Sequence, residues 1–167
     1  MDFRDDVLPL KDKLYRLAYQ IVWDTAEAED IAQEVMIRVW GKRDEWAQLG
    51  SMEAYCLAAA RNLSLDRKAR KESHHAVLEP EACGRADESA DPHARLVGKE
   101  RMVLLRRFLR QLPEKQRTAL MLREVEEMSY KEIADALRCT EAQVKVTLFR
   151  ARQKLKQWFE EIEGYGL

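Results

Sequence analysis

Two helix-start signatures stand close together in residues 129–157, SYKEIADALRCTEAQVKVTLFRARQKLKQ. Ser129 supplies a side-chain oxygen for an N-cap, and Glu132 stands where it completes a capping box. Ile133, Ala134 and Leu137 then share one helical face, and Arg138-Cys139 closes the helix. Thr140 opens a second helix, with Gln143 at the matching box position. Two boxes, each opening an amphipathic run, fix both helix starts. A link this short between two helices is what a helix-turn-helix requires.

The second helix of the pair indicates its use. Val144, Leu148, Ala151 and Leu155 recur at helical spacing and predict the buried stripe. The opposite face carries Val146, Phe149, Arg150 and Gln153, flanked by Gln143, Lys145 and Thr147. An ordinary surface helix keeps Val and Phe off its solvent side. A helix in a DNA major groove has a use for them, because thymine methyls are apolar and lie beside base-edge acceptors. Lys145, Arg150, Arg152, Lys154 and Lys156 provide charge for phosphates. The alternative is a solvated basic helix on the side of a bundle.

The net charge of -1 hides an asymmetry. Residues 101–167 hold 14 Lys and Arg against 10 Asp and Glu, whereas residues 73–100 hold 3 against 6. The basic excess coincides with the helix-turn-helix, so the local field matters more than the total. The N-terminus has no apolar signal core, and the longest apolar run, residues 54–60, is too short to span a bilayer. Cys56, Cys83 and Cys139 have no paired spacing, which fits a reduced cytoplasm. A cytoplasmic chain without membrane insertion is expected.

Periodicity predicts a first helix over residues 10–23, with Leu10, Leu14, Leu17, Ala18 and Ile21 inward. A second follows over 26–40, burying Ile31, Val35 and Val39 and presenting Asp30, Gln33, Glu34 and Arg38 on its other side. Residues 41–50 read as a loop holding Trp46 and Leu49. Ser51 caps a third helix, 52–70, whose stripe is Ala54, Leu57, Ala58, Arg61 and Leu65. Its basic end, with Arg61, Arg67, Lys68, Arg70 and Lys71 around Asn62 and Ser64, exceeds what the helix dipole needs and suits a polyanion.

Residues 73–93 lose the periodicity and read as a flexible linker. His74, His75, Cys83 and His93 fall there, at a spacing that matches no zinc-site pattern. Helical pattern resumes at 94, with Leu96, Val103, Leu104 and Phe108 aligned. Pro113 then opens a helix carrying Ala119, Leu120, Leu122 and Val125. The last helix is expected to fray from Glu163. The expected fold is all-α: two small helical domains, 1–72 and 94–167, joined by the linker 73–93, with the helix-turn-helix in the second. The modules could sit closed or extended.

This layout resembles the bacterial RNA polymerase sigma factors of the extracytoplasmic-function class. Two blocks carry the resemblance: AEDIAQEVMIRVW with the later ARNLSLDRKAR run, and residues 109–155. The resemblance implies that Asp30, Gln33 and Glu34 dock on the clamp helices of the largest subunit of core RNA polymerase. It implies that Asn62 contacts nucleotides of the minus-ten element, with Arg61, Arg67 and Lys68 holding the strand. The loop over 44–51 would capture a flipped base, with Trp46 and Tyr55 available either for stacking or as core residues. Gln143, Lys145, Val146, Phe149 and Arg150 would read the minus-thirty-five element in promoter DNA. An anti-sigma factor is a further implied partner. Relatives often carry arginine at the position of Ala58 and a small hydroxyl residue at that of Val146.

No nucleophile-base motif or phosphate-cradling glycine loop is present, so no enzyme, cofactor or metal is expected. The competing readings are an operator-binding regulator that dimerises through its N-terminal helices, and a nuclease built on Asp30 and Glu34. The regulator would bind its operator without polymerase. The nuclease lacks an evident set of further oxygen ligands.

Overall fold

The Asp24 side chain accepts from the Glu27 backbone N–H at 3.0 Å and starts the second long helix. The computed structural model describes residues 1–74 and 92–164, with side chains over 1–73 and 98–164. All regular structure among the described residues is helical: α1 Lys11–Val22, α2 Thr25–Gly41, α3 Met52–His74, α4 Pro92–Gln111, α5 Glu114–Glu124, α6 Tyr130–Leu137 and α7 Glu141–Gly164. Short helical turns, Phe3–Val7 and Leu8–Leu10, precede α1. Most of the linker reading, including His75 and Cys83, lies outside the described residues, as do the side chains of His74, His93 and Leu96.

Both capping boxes form. The Ser129 hydroxyl accepts from the Glu132 backbone N–H at 3.2 Å, and Glu132 accepts from the Ser129 N–H at 2.7 Å. Thr140 and Gln143 repeat the exchange at 3.1 and 2.9 Å. Between them Arg138 adopts the left-handed conformation, φ 54°, that ends α6 and turns the chain into α7. A non-glycine residue there costs about 1–2 kcal/mol, which the hydrogen bonds on either side offset.

In the N-terminal half α1, α2 and α3 pack together, and α3 also lies against α6. The buried side of α3 is broader than the stripe predicted for it. Met52, Cys56, Leu57, Ala60, Leu63 and Ser64 are all buried, while Ala54 is only half-buried. A helix covered by neighbours on more than one side cannot keep a narrow stripe. The expected loop over 41–50 contains the 3-10 turn Arg43–Gln48, and Gly41 completes α2. Trp46 is buried, and its indole N–H donates to the Val39 carbonyl at 2.9 Å, which makes it a core residue rather than a stacking platform.

Two apolar residues named for the C-terminal helices lie outward. Val103 and Val125 are 56% and 59% exposed. Phe108 instead turns into a cluster with Trp158 and Phe159, and α5 buries Arg117 and Thr118 beside Ala119, Leu120 and Leu122. For α5 the reason lies across the molecule, where Arg117 and Thr118 meet Gln20 at the end of α1.

The buried apolar residues of both halves form one continuous cluster. A polar network lies beside it. Buried Gln20 donates to the Thr118 hydroxyl at 2.7 Å and accepts from Arg117 Nε at 2.7 Å. Thr118 donates to Glu114 at 2.8 Å, and Arg61 grips the same carboxylate with Nε and Nη2 at 2.7 and 2.8 Å. Arg16 pairs likewise with Glu126. Trp23, left-handed at the end of α1, lies under the guanidinium groups of Arg110 and Arg117, 4.5 and 5.4 Å from its ring centre.

Candidate nucleic-acid interface

The second helix of the helix-turn-helix divides as its periodicity requires. Val144, Leu148 and Ala151 are buried, and Leu155 is half-buried. On the outer side Val146 is 47% and Phe149 62% exposed, with Gln143, Lys145 and Arg150 exposed around them. Neither Lys145 nor Arg150 has an ion-pair partner among the described residues. An apolar pair ringed by unpaired cations on one helix is chemically suited to base edges and phosphates together.

Gln143 serves two ends of its own side chain. Its carbonyl oxygen accepts from the Thr140 N–H, which leaves the amide NH2 to donate outward. Val146 and Arg150 also border an open groove of about 460 Å³, whose other wall is the start of α5 with Pro113, Lys115 and Gln116. The sequence reading did not single out Lys115 or Gln116. No local signal marks them, because their approach to α7 is made by tertiary packing.

On α3 the four singled-out residues separate into two kinds. Asn62 is exposed, and Lys68 is half-buried with no ion pair among the described residues. Arg61 is bound to Glu114, and Arg67 is bound to Glu27, Asp30 and Glu34. The carboxylates on α2 are therefore engaged from within the chain. Asp30 and Gln33 remain exposed, and Glu34 is half-buried with Arg38 also on it. Ile37 is 71% and Trp40 48% exposed on α2. The sequence reading missed both, although an apolar residue off the buried stripe was the signal that found Val146 and Phe149.

Residues 7–74 match the family described as sigma-70 region 2, and residues 102–155 match sigma-70 region 4. A sigma-E factor of Streptomyces avermitilis is 30% identical over 100% of this chain and 88% of its own length. The chain belongs to the sigma-70 family. It is a sigma factor of the extracytoplasmic-function class, a DNA-binding regulatory protein that directs promoter-specific transcription. The extracytoplasmic-function sigma factor SigW of Bacillus subtilis is 29% identical over 96% of this chain and 90% of its own length. The sigma factor RpoE of Bartonella quintana, solved with the anti-sigma factor NepR, shares the fold with a TM-score of 0.71. That likeness covers 95% of this chain and 97% of the other at 22% identity. In this sigma factor the region 2 match ends where α3 ends, and the region 4 match contains the helix-turn-helix.

Proposed function

We propose that the sigma factor divides promoter recognition between its halves: residues 1–72 dock on core polymerase and hold the minus-ten strand, 94–167 read the minus-thirty-five duplex, and 73–93 join them. On α2, Asp30, Gln33 and Glu34 meet a basic helical surface of the largest polymerase subunit, the clamp helices. Ile37 and Trp40 add apolar area to that contact. Rim charges of this kind set encounter rate and register, and the apolar anchors carry the affinity. On α3, Asn62 contacts unpaired nucleotides, with Arg61, Arg67 and Lys68 for the phosphates. On α7, Gln143, Lys145, Val146, Phe149 and Arg150 enter the major groove, with Lys115 beside the DNA backbone.

The observation that carries this reading is the exposed Val146 and Phe149 amid unpaired cations on the second helix of the pair. The protein performs no catalysis itself, acts in the cytoplasm, and is held inactive by an anti-sigma factor until needed. Among the described residues no helix is long and apolar enough to cross a membrane.

Reconstitution tests it. Purified chain added to core polymerase is expected to give run-off transcripts from its own promoter and none without core enzyme. Tight, symmetric operator binding in the absence of polymerase would favour the regulator reading instead.

A further inference from the structure

Arg67 joins two surfaces to which the proposed function gives different partners. Its guanidinium reaches three carboxylates in a row along α2: Asp30 at 2.5 Å, Glu27 at 3.5 Å and, closest, Glu34. Asp30 and Glu34 are the residues proposed to dock on polymerase, and Arg67 itself is proposed to hold the promoter strand. One arginine cannot neutralise the docking face and grip a phosphate at the same time. We propose that Arg67 is an internal stand-in for a cation of the polymerase, covering the docking carboxylates in the free chain and released to the promoter strand when polymerase takes its place. The proposal rests on the assignment of Asp30 and Glu34 to polymerase docking.

The surroundings favour an exchange over a simple opening. Removing Arg67 without replacement would leave Asp30 unpaired and the half-buried Glu34 held by Arg38 alone, a negative face that an incoming cation can match. Glu27 would not be stranded, because Lys71 also holds it at 3.3 Å. Arg38 remains on Glu34 from the following turn of the same helix. What is left unmatched is the charge of Asp30 and part of that of Glu34, which an incoming arginine or lysine can match. Asp30 has a side chain 64% exposed, so it is open to attack by that cation from solvent. The Arg67 side chain is 20% exposed and lies at the edge of α3, five residues beyond Asn62. Five residues is about 140° around a helix, so once freed its long side chain must swing round α3 to reach a strand held at Asn62. The exchange makes polymerase and promoter strand cooperative ligands, and each must raise affinity for the other by the same factor.

The test uses the full-length chain. Arg67→Gln removes the stand-in, so its affinity for core polymerase is expected to rise about fivefold while transcription from the promoter falls. A role confined to holding α3 on α2 predicts the opposite: weaker or unchanged core binding with a lower melting temperature, and this result overturns the proposal. If Arg67→Gln does not fold, the reverse experiment decides. Glu34→Gln loosens the hold on Arg67, so the free chain should bind a single-stranded oligonucleotide of the promoter's non-template strand several-fold more tightly. No gain in strand binding would overturn the proposal. The same Glu34→Gln protein should bind core polymerase less well. If it does, yet Arg67→Gln brings no gain, the exchange fails while the docking assignment stands. If Glu34→Gln leaves core binding untouched, the docking assignment fails first.

Discussion

The two faces proposed to meet nucleic acid differ in their readiness. On α7 the reading side is open, with Lys145 and Arg150 free of carboxylates among the described residues and with Val146 and Phe149 in solvent. On α3 the two arginines proposed for the strand are both occupied, Arg61 by Glu114 of α5 and Arg67 by the α2 carboxylates. On the proposed assignment, the contrast follows from what each face would read. A duplex presents its groove without prior work, so a rigid, prepaid surface suffices. A single strand exists only after melting, and cations left bare beforehand would bind any polyanion. The cost of the α3 arrangement is that something must displace its internal partners.

The largest expected effect strikes the docking face that holds Arg67. Glu34→Lys reverses a charge and places it against Arg67 and Arg38. Affinity for core polymerase should fall by about two orders of magnitude, or ~2.7 kcal/mol. Circular dichroism should show the helices intact, since Glu34 is half-buried and lies outside the buried apolar cluster. Undiminished binding would mean that α2 docks through another side. Next comes the open face. Arg150→Ala should weaken binding at the upstream element by about 1–3 kcal/mol if the guanidinium reads a base. An equal loss on every promoter sequence, with a shallower salt dependence, would reassign it to a phosphate.

The same contrast explains what the sequence could reveal. The helix-turn-helix was legible because its signals are local: each box closes over three residues, and the outward Val146 and Phe149 break the stripe within one helix. The occupied state of Arg61 and Arg67 was not. Their partners are 53 residues away in one case and 33, 37 and 40 in the other. Helical periodicity says which side a residue faces, and it is silent on what another helix brings there. The burial of Arg117 escaped notice for the same reason, since it depends on Gln20 from α1. Trp46 could be read from sequence either as core or as a stacking platform, and only its hydrogen bond to Val39 decides for the core.

Glu114 gives a way to open the occupied face without touching α3. Burial pushes its carboxyl up, but hydrogen bonds from Arg61 and Thr118 and the nearby charge of Arg61 and Arg117 more than offset this, leaving it below its ordinary value of 4.5. A carboxyl depressed on folding contributes stability that is fully present above its unfolded value. That stability is lost as pH falls through the folded value. The contact between the halves should therefore hold at neutral pH and weaken only below about pH 4.5. Glu114→Gln should mimic the protonated state at pH 7, costing about 1–2 kcal/mol because Arg61 loses its charged partner. Thermal unfolding would report the loss, and strand binding by the free chain should rise modestly as Arg61 is released. An unchanged melting temperature would mean that the pair contributes nothing to closure.

The smallest expected change probes the open face alone. Val146→Thr keeps shape and volume while replacing one methyl with a hydroxyl at a site already 47% exposed. No buried polar group is created, so stability should stay within about 0.5 kcal/mol. A thymine methyl that packed on Val146 loses part of its apolar contact, and the hydroxyl gains a hydrogen bond to a neighbouring base edge. Preference should thus shift at one or two base pairs of the upstream element by about fivefold, near 1 kcal/mol, with no change at the minus-ten element. Binding to a panel of single-base promoter variants measures this directly. A uniform response across the panel would show that Val146 sits outside the groove, and would leave Phe149 as the apolar contact of α7.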